Sequence, residues 1–137
     1  MKKLAARHRA LFIQFIKFGI VGVIGFVVDV GVLKLCMWEF GMGPYAGRLV
    51  SFMVAVTVTW MCNRLFTFRG QGKGPAHKQW AKFVVACIGG FILNYGTYAV
   101  LITLFALVRD YPALGVAAGS IAGMFFNFFA ARRVVFR

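Results

Sequence analysis

Asp29 is one of three acidic residues in this 137-residue chain and lies inside a long apolar run. An ionisable group at bilayer depth costs at least ~2.5 kcal/mol on insertion scales, so it marks a functional position by default. Such a carboxylate can bind a proton or gate a polar pathway. It can equally close a buried clasp with Arg48 or Asn94, the other polar groups inside the apolar segments that stand out with it. A second set is cationic: Lys17, Arg64, Lys82, Arg132 and Arg133 fall at the ends of apolar segments. A ring of cations there suits a phosphate or pyrophosphate at headgroup depth, because a guanidinium grips phosphate with two parallel hydrogen bonds. Asn63 and Asn127 add neutral donors close by. The competing explanation for these cations is ordinary topology determination.

The sequence predicts no enzyme. It has no paired carboxylates at useful spacing, no metal-ligand cluster, no Gly-rich phosphate loop after a strand, and no nucleophile with an identifiable base. His8 and His77 sit in polar flanks. Cys36, Cys62 and Cys87 are scattered singly through apolar segments and read as small packing residues. No cofactor is expected.

The elements that must position these residues are membrane helices. Apolar residues make up 61% of the chain and charged ones 14%, where a soluble domain keeps about a quarter charged. Mean hydropathy is +0.82. A net charge of +13 points to nucleic acid or to an anionic membrane surface. No basic helix or aromatic-basic sheet pattern stands apart from the apolar runs, so no nucleic-acid partner is predicted. About 20 apolar residues are needed to cross a hydrocarbon core of about 30 Å. Four segments qualify, near 13–37, 44–63, 81–107 and 112–131. The start, MKKLAARHRA before an apolar run, mimics a signal peptide. The run lacks an A-x-A exit and is long enough to span, so an uncleaved first helix is expected. The second segment is short: 15 uncharged residues separate Arg48 from Arg64, about 22 Å of helix. Either the bilayer thins there, or Arg48 sits a turn inside and reaches outward. Thirteen of the 16 Lys and Arg residues fall at the two termini and between the second and third segments, from Arg64 to Lys82 around a basic loop near 69–80, which places both ends in the cytoplasm.

The chain also repeats itself. FIKFGIVGVIGFVVDVG, from Phe15, aligns with WAKFVVACIGGFILNYG, from Trp80, at an offset of 65, and Asp29 meets Asn94. Later in each half the offset is 68, and Pro44, Gly47, Arg64 and Phe68 recur as Pro112, Gly115, Arg132 and Phe136. The expected architecture is an all-α membrane protein in one transmembrane domain, residues 1–137. It comprises two parallel two-helix repeats, about 12–69 and 78–137. Small or polar residues at steps of four, Gly47, Ser51, Ala55, Thr59, Asn63 and Gly115, Gly119, Gly123, Asn127, Ala131, mark faces for close helix packing. Trp38, Trp60, Trp80, Tyr45 and Tyr111 lie near segment ends, as interfacial anchors do.

These segments resemble the GtrA-like family of small bacterial membrane proteins over about residues 12–137. The resemblance is carried by the opening FIKFGIVGVIGFVVDVGVLKL, the NRLFTF that ends the second segment and the FFNFFAARRVVF that ends the fourth. Where the family commonly has Trp just before each terminal Phe, this chain has Thr67 and Val135. The resemblance implies a bacterial cytoplasmic (inner) membrane location and a role in cell-surface polysaccharide synthesis. It implies a flippase that moves a polyprenyl-phosphate-linked sugar between leaflets, beside a membrane glycosyltransferase. In that role the cations would contact lipid phosphate, and Asp29, Asn94 and Asn127 would line the polar path. Four short helices enclose little volume, so a homo-oligomer is expected. Two alternatives stand beside this one: a non-transporting anchor for a glycosyltransferase, and a proton-coupled small-molecule exporter using Asp29. The basic cytoplasmic face favours anionic lipids and disfavours cationic cargo.

Overall fold

Neither proline nor glycine interrupts residues 2–18, and Leu, Ala, Lys and Arg are strong helix formers. The first helix therefore begins well before the membrane does. In the computed structural model, which describes all 137 residues, α1 runs Lys2–Trp38, starting eleven residues ahead of the expected span. Its 37 residues extend about 56 Å, nearly twice the hydrocarbon thickness. The three prolines sit at helix starts, where a missing N–H costs nothing. Pro44 opens α2 (Pro44–Cys62), Pro75 precedes α3 (Ala76–Leu104), and Pro112 opens α5 (Pro112–Ala130). A short α4 (Ala106–Asp110) lies between α3 and α5. Both α2 and α5 finish in a five-residue π turn, Asn63–Thr67 and Ala131–Val135. No element is a strand, and four helices are long and apolar enough to cross a membrane. The protein is an all-helical, multi-pass membrane protein.

The third span ends at Leu104, three residues before its expected limit. Phe105 takes up an extended conformation (φ −119°, ψ 117°), and Arg109 folds back over the break. Its guanidinium donates to the carbonyl oxygens of Ile102 (3.1 Å) and Thr103 (2.9 Å). These are terminal carbonyls with no intrahelical partner, at the negative end of the helix dipole. An apolar run alone does not reveal a cap contributed from beyond it.

The chain divides into two compact units, Met1–Lys73 and Gly74–Arg137. Each is an antiparallel helical hairpin, α1 with α2 and α3 with α5. In the first, the bend after α1 is tight enough to place Gly41 at φ +61°, and the Met42 amide returns to the Cys36 carbonyl at 3.0 Å.

The small-residue positions form the seam of each hairpin. Gly47, Ser51, Ala55 and Asn63 are buried in the first unit, and Gly115, Gly119, Gly123 and Ala131 in the second. Lipid is as apolar as the side chains, so packing depends on close backbone approach rather than on exclusion of water. The approach is closest in the second unit. A Cβ on Gly123 would stand 2.9 Å from the Gly90 carbonyl oxygen and 3.2 Å from Asn94 Cβ. One on Gly119 would run into the Asn94 carbonyl, and one on Gly25 into the Thr59 methyl group. Gly31 and Gly96, by contrast, face open space.

Gly119→Ala should therefore destabilise the protein by about 1–3 kcal/mol, the range for forcing extra volume into a packed site. Gly96→Ala should be neutral or mildly stabilising through helix propensity. Thermal unfolding of the purified protein in detergent checks both, and equal effects at the two positions would rule out the seam as the determinant.

Candidate functional site

At the end of each hairpin where the chain enters and leaves, the π turn does structural work that an α-helix cannot. The Phe68 amide bonds to the Asn63 carbonyl, and the Phe136 amide to the Ala131 carbonyl, each at 2.8 Å across five residues. The wider turn puts two consecutive residues into the seam, Thr67 with Phe68 and Val135 with Phe136. A continuing α-helix would turn the second about 100° away. Phe68 (0% exposed) meets Phe18 edge-on, with centroids 6.3 Å apart and planes at 67°. Phe136 (1%) meets Phe83 in the same way, at 6.3 Å and 64°. The two halves thus share an aromatic clasp as well as a sequence pattern.

Polar side chains secure the first π turn. Asn63 is fully buried, and its Oδ1 accepts the Thr67 hydroxyl at 2.8 Å. Gln14 on α1 donates to the Thr67 carbonyl (3.4 Å) and to Gln71 Oε1 (3.2 Å). Gln14 is half-buried, and Gln79, its counterpart at the offset of 65, is buried. Sequence reasoning passed over this pair of glutamines, although their recurrence four residues before each clasp phenylalanine is visible in the alignment.

The cations stand around these clasps. In the first unit Lys17 Nζ lies 4.8 Å from the Phe66 ring centroid, and the Arg64 guanidinium 5.6 Å from that of Trp60. Both cations are half-buried. In the second unit the Arg133 guanidinium lies 5.6 Å from the Phe129 ring, Arg132 is half-buried, and Lys82 is exposed. A guanidinium stacked on a ring is held in place yet keeps its in-plane N–H groups for an anion. Asn63 and Asn127 do not join that surface. Asn63 serves the π turn, and the Asn127 side chain is pressed against Gly90 of α3, its Oδ1 buried without a hydrogen-bond partner.

Arg48 does not reach outward. Its neighbour Gly47 packs beside Leu33, Cys36 and Met37, whereas the Arg48 guanidinium pairs with Asp29, one turn deeper along α1 than Leu33. The carboxylate draws the cation inward, because an ion pair at that depth is far less costly than two isolated charges. The second unit has no such pair. Asn94 abuts Gly119 and Gly123, and the position matching Arg48 is Val116. No group of three or more His, Cys, Asp or Glu side chains is gathered where it would hold a metal ion.

The clasp predicts a measurable coupling. A double-mutant cycle with Phe18→Leu and Phe68→Leu should return about 0.5–1.5 kcal/mol of interaction between the two rings. Additive effects on thermal stability would contradict a direct contact.

No curated protein matches the chain by sequence. A family description does. The GtrA/DPMS transmembrane domain matches residues 17–136, from the first lysine of the cationic set to the phenylalanine that closes the second clasp. With that match covering nearly the whole chain, the protein belongs to the GtrA/DPMS transmembrane-domain family.

Proposed function

We propose that the protein moves a polyprenyl-phosphate-linked sugar across the bacterial cytoplasmic membrane for cell-surface polysaccharide synthesis. The observation that carries this reading is the recurrence of an arginine-bearing π turn at the same end of both hairpins, in a member of this family. Arg64 and Lys17 in the first unit, and Arg132, Arg133 and Lys82 in the second, are the groups that take the lipid phosphate. Seating Arg64 and Arg133 on aromatic faces lowers the entropy lost when an anion binds them. The role is one of binding and passage rather than catalysis, and the isoprenoid tail remains in lipid.

The reading as a non-transporting anchor draws less support. An anchor would need the small-residue stripes to dock a glycosyltransferase, and the stripe positions Gly47, Ser51, Ala55, Gly115, Gly119 and Gly123 are buried within their own hairpins. A cation exporter needs a membrane carboxylate whose charge is free for cargo, and the charge of Asp29 is already offset by the Arg48 guanidinium.

In proteoliposomes carrying labelled polyprenyl-phosphate hexose, the Arg64→Ala/Arg132→Ala double variant should lower leaflet translocation at least about tenfold. Losing one charge-assisted contact per unit costs about 1.5–3 kcal/mol each. Undiminished transport would reject the phosphate role. The orientation has its own check. A single cysteine introduced as Gly72→Cys in a Cys-free background should react with an impermeant maleimide only from the cytoplasmic side, whereas Met42→Cys should react only from outside.

A further inference from the structure

The Asp29–Arg48 pair is incompletely satisfied. Arg48 engages Asp29 Oδ2 through one nitrogen, while Asp29 Oδ1 is buried with no hydrogen-bond donor. The Arg48 side chain is 55% exposed and the Asp29 side chain 17%. A guanidinium carries five N–H donors and a carboxylate accepts about four hydrogen bonds, so both members have capacity left over. Inside a bilayer no water relieves that deficit.

A hairpin of this kind can be built without such a pair. The second unit builds the same hairpin, with the same clasp and a closer seam, using Asn94 and Val116 at the corresponding positions. Charge was therefore placed in one hairpin only, at a membrane depth where it is expensive. Its net charge also restricts the ligand. Asp29 repels a phosphate and Arg48 repels an amine, whereas a neutral hydroxyl both donates and accepts.

We propose that Asp29 and Arg48 form a hydroxyl-binding subsite for the sugar of the lipid-linked substrate, Asp29 accepting from one hydroxyl and Arg48 donating to a neighbouring oxygen. This rests on the translocation reading above and adds to it the group that reads the sugar rather than the phosphate. A partial rotation of the carboxylate about χ2, a soft torsion, brings the unpaired oxygen out toward an arriving hydroxyl while the long, half-exposed Arg48 side chain follows the other. Arg48 orients the carboxylate while contributing its remaining N–H groups.

The test compares binding of polyprenyl-phosphate hexose and bare polyprenyl phosphate to the full-length protein in detergent, by native mass spectrometry. Wild type should favour the sugar-bearing lipid by about tenfold, the worth of one hydrogen bond to a charged group. Asp29→Asn/Arg48→Val, which copies the second unit, should lose that preference and bind bare lipid as wild type does. Arg48→Lys keeps the ion pair but removes the forked donors, and it should lose most of the preference while retaining wild-type thermal stability. A preference that persists in both variants overturns the subsite, as does equal weakening for both lipids, which would mark a structural clasp. Competition by phosphatidylglycerol equal to that by the sugar lipid overturns the sugar assignment. Equal binding of both lipids to wild type sinks the subsite and leaves the phosphate reading standing. Binding of neither lipid sinks both.

Discussion

Close backbone contact between paired helices is the constraint from which the rest of this structure follows. Water cannot drive two apolar helices together inside a bilayer, so dispersion contacts and short polar links must suffice. The Gly115–Gly119–Gly123 face allows α5 to meet the α3 backbone at Gly90 and Asn94. Once the seam is set, its end positions determine what reaches the headgroup region. The π turns terminate α2 and α5 by folding one extra residue inward, which buries Phe68 and Phe136 and leaves Arg64 and Arg132 only half-buried beside them. Packing within the seam and presentation of charge at its end are thus produced by the same turn.

That arrangement links the local chemistry of NRLFTF and of ARRVVF to function. π turns are rare and cluster at functional positions, since they trade regular hydrogen bonding for a displaced side chain. Here the displacement serves two ends. The aromatic clasp closes the hairpin mouth, and the cation one to two residues past the turn's start is held against an aromatic face. In the first unit the open carbonyl of Thr67 finds a donor in Gln14, and Asn63 accepts the Thr67 hydroxyl. At the places where related proteins commonly have Trp, Thr67 and Val135 are buried, so this chain puts no interfacial indole there.

Much of this was legible in the sequence, and the parts that were not have identifiable causes. Span number, the glycine stripes and the pairing of Asp29 with a polar partner follow from composition and periodicity, which report burial and depth. Span ends were less legible. The N-terminal extension of α1 depends on propensity rather than hydropathy, and the Leu104 break depends on a cap donated by Arg109 from beyond the apolar run. The π turns left no hydropathy signature. The change of offset from 65 to 68 records the longer connection between α3 and α5, which carries α4, and the trace nearest the π turns was the matched Gln14 and Gln79. Asn63 and Asn127 were read as headgroup donors because they lie near the cations in sequence, but helical periodicity places both on the seam.

The most informative contrast lies between the repeats themselves. A duplicated hairpin provides an internal control: whatever both copies share is what the hairpin needs, and whatever one copy has alone answers to something else. Both copies keep a proline at the start of the second helix, the seam, the clasp and the lysine–arginine placement, so these belong to the hairpin itself. The ion pair belongs to one copy. Asn94 at the matching position needs no counter-charge, and it contributes to the seam by packing on Gly119 and Gly123. Asp29 instead recruits Arg48 from the opposite helix and leaves one oxygen unmatched. An amide would have met the demands of the fold at lower cost. A charged, half-satisfied pair in a single hairpin is therefore what sets the first unit apart from the second, and in the proposed reading it lies below the cationic end, at a depth the headgroup would cross.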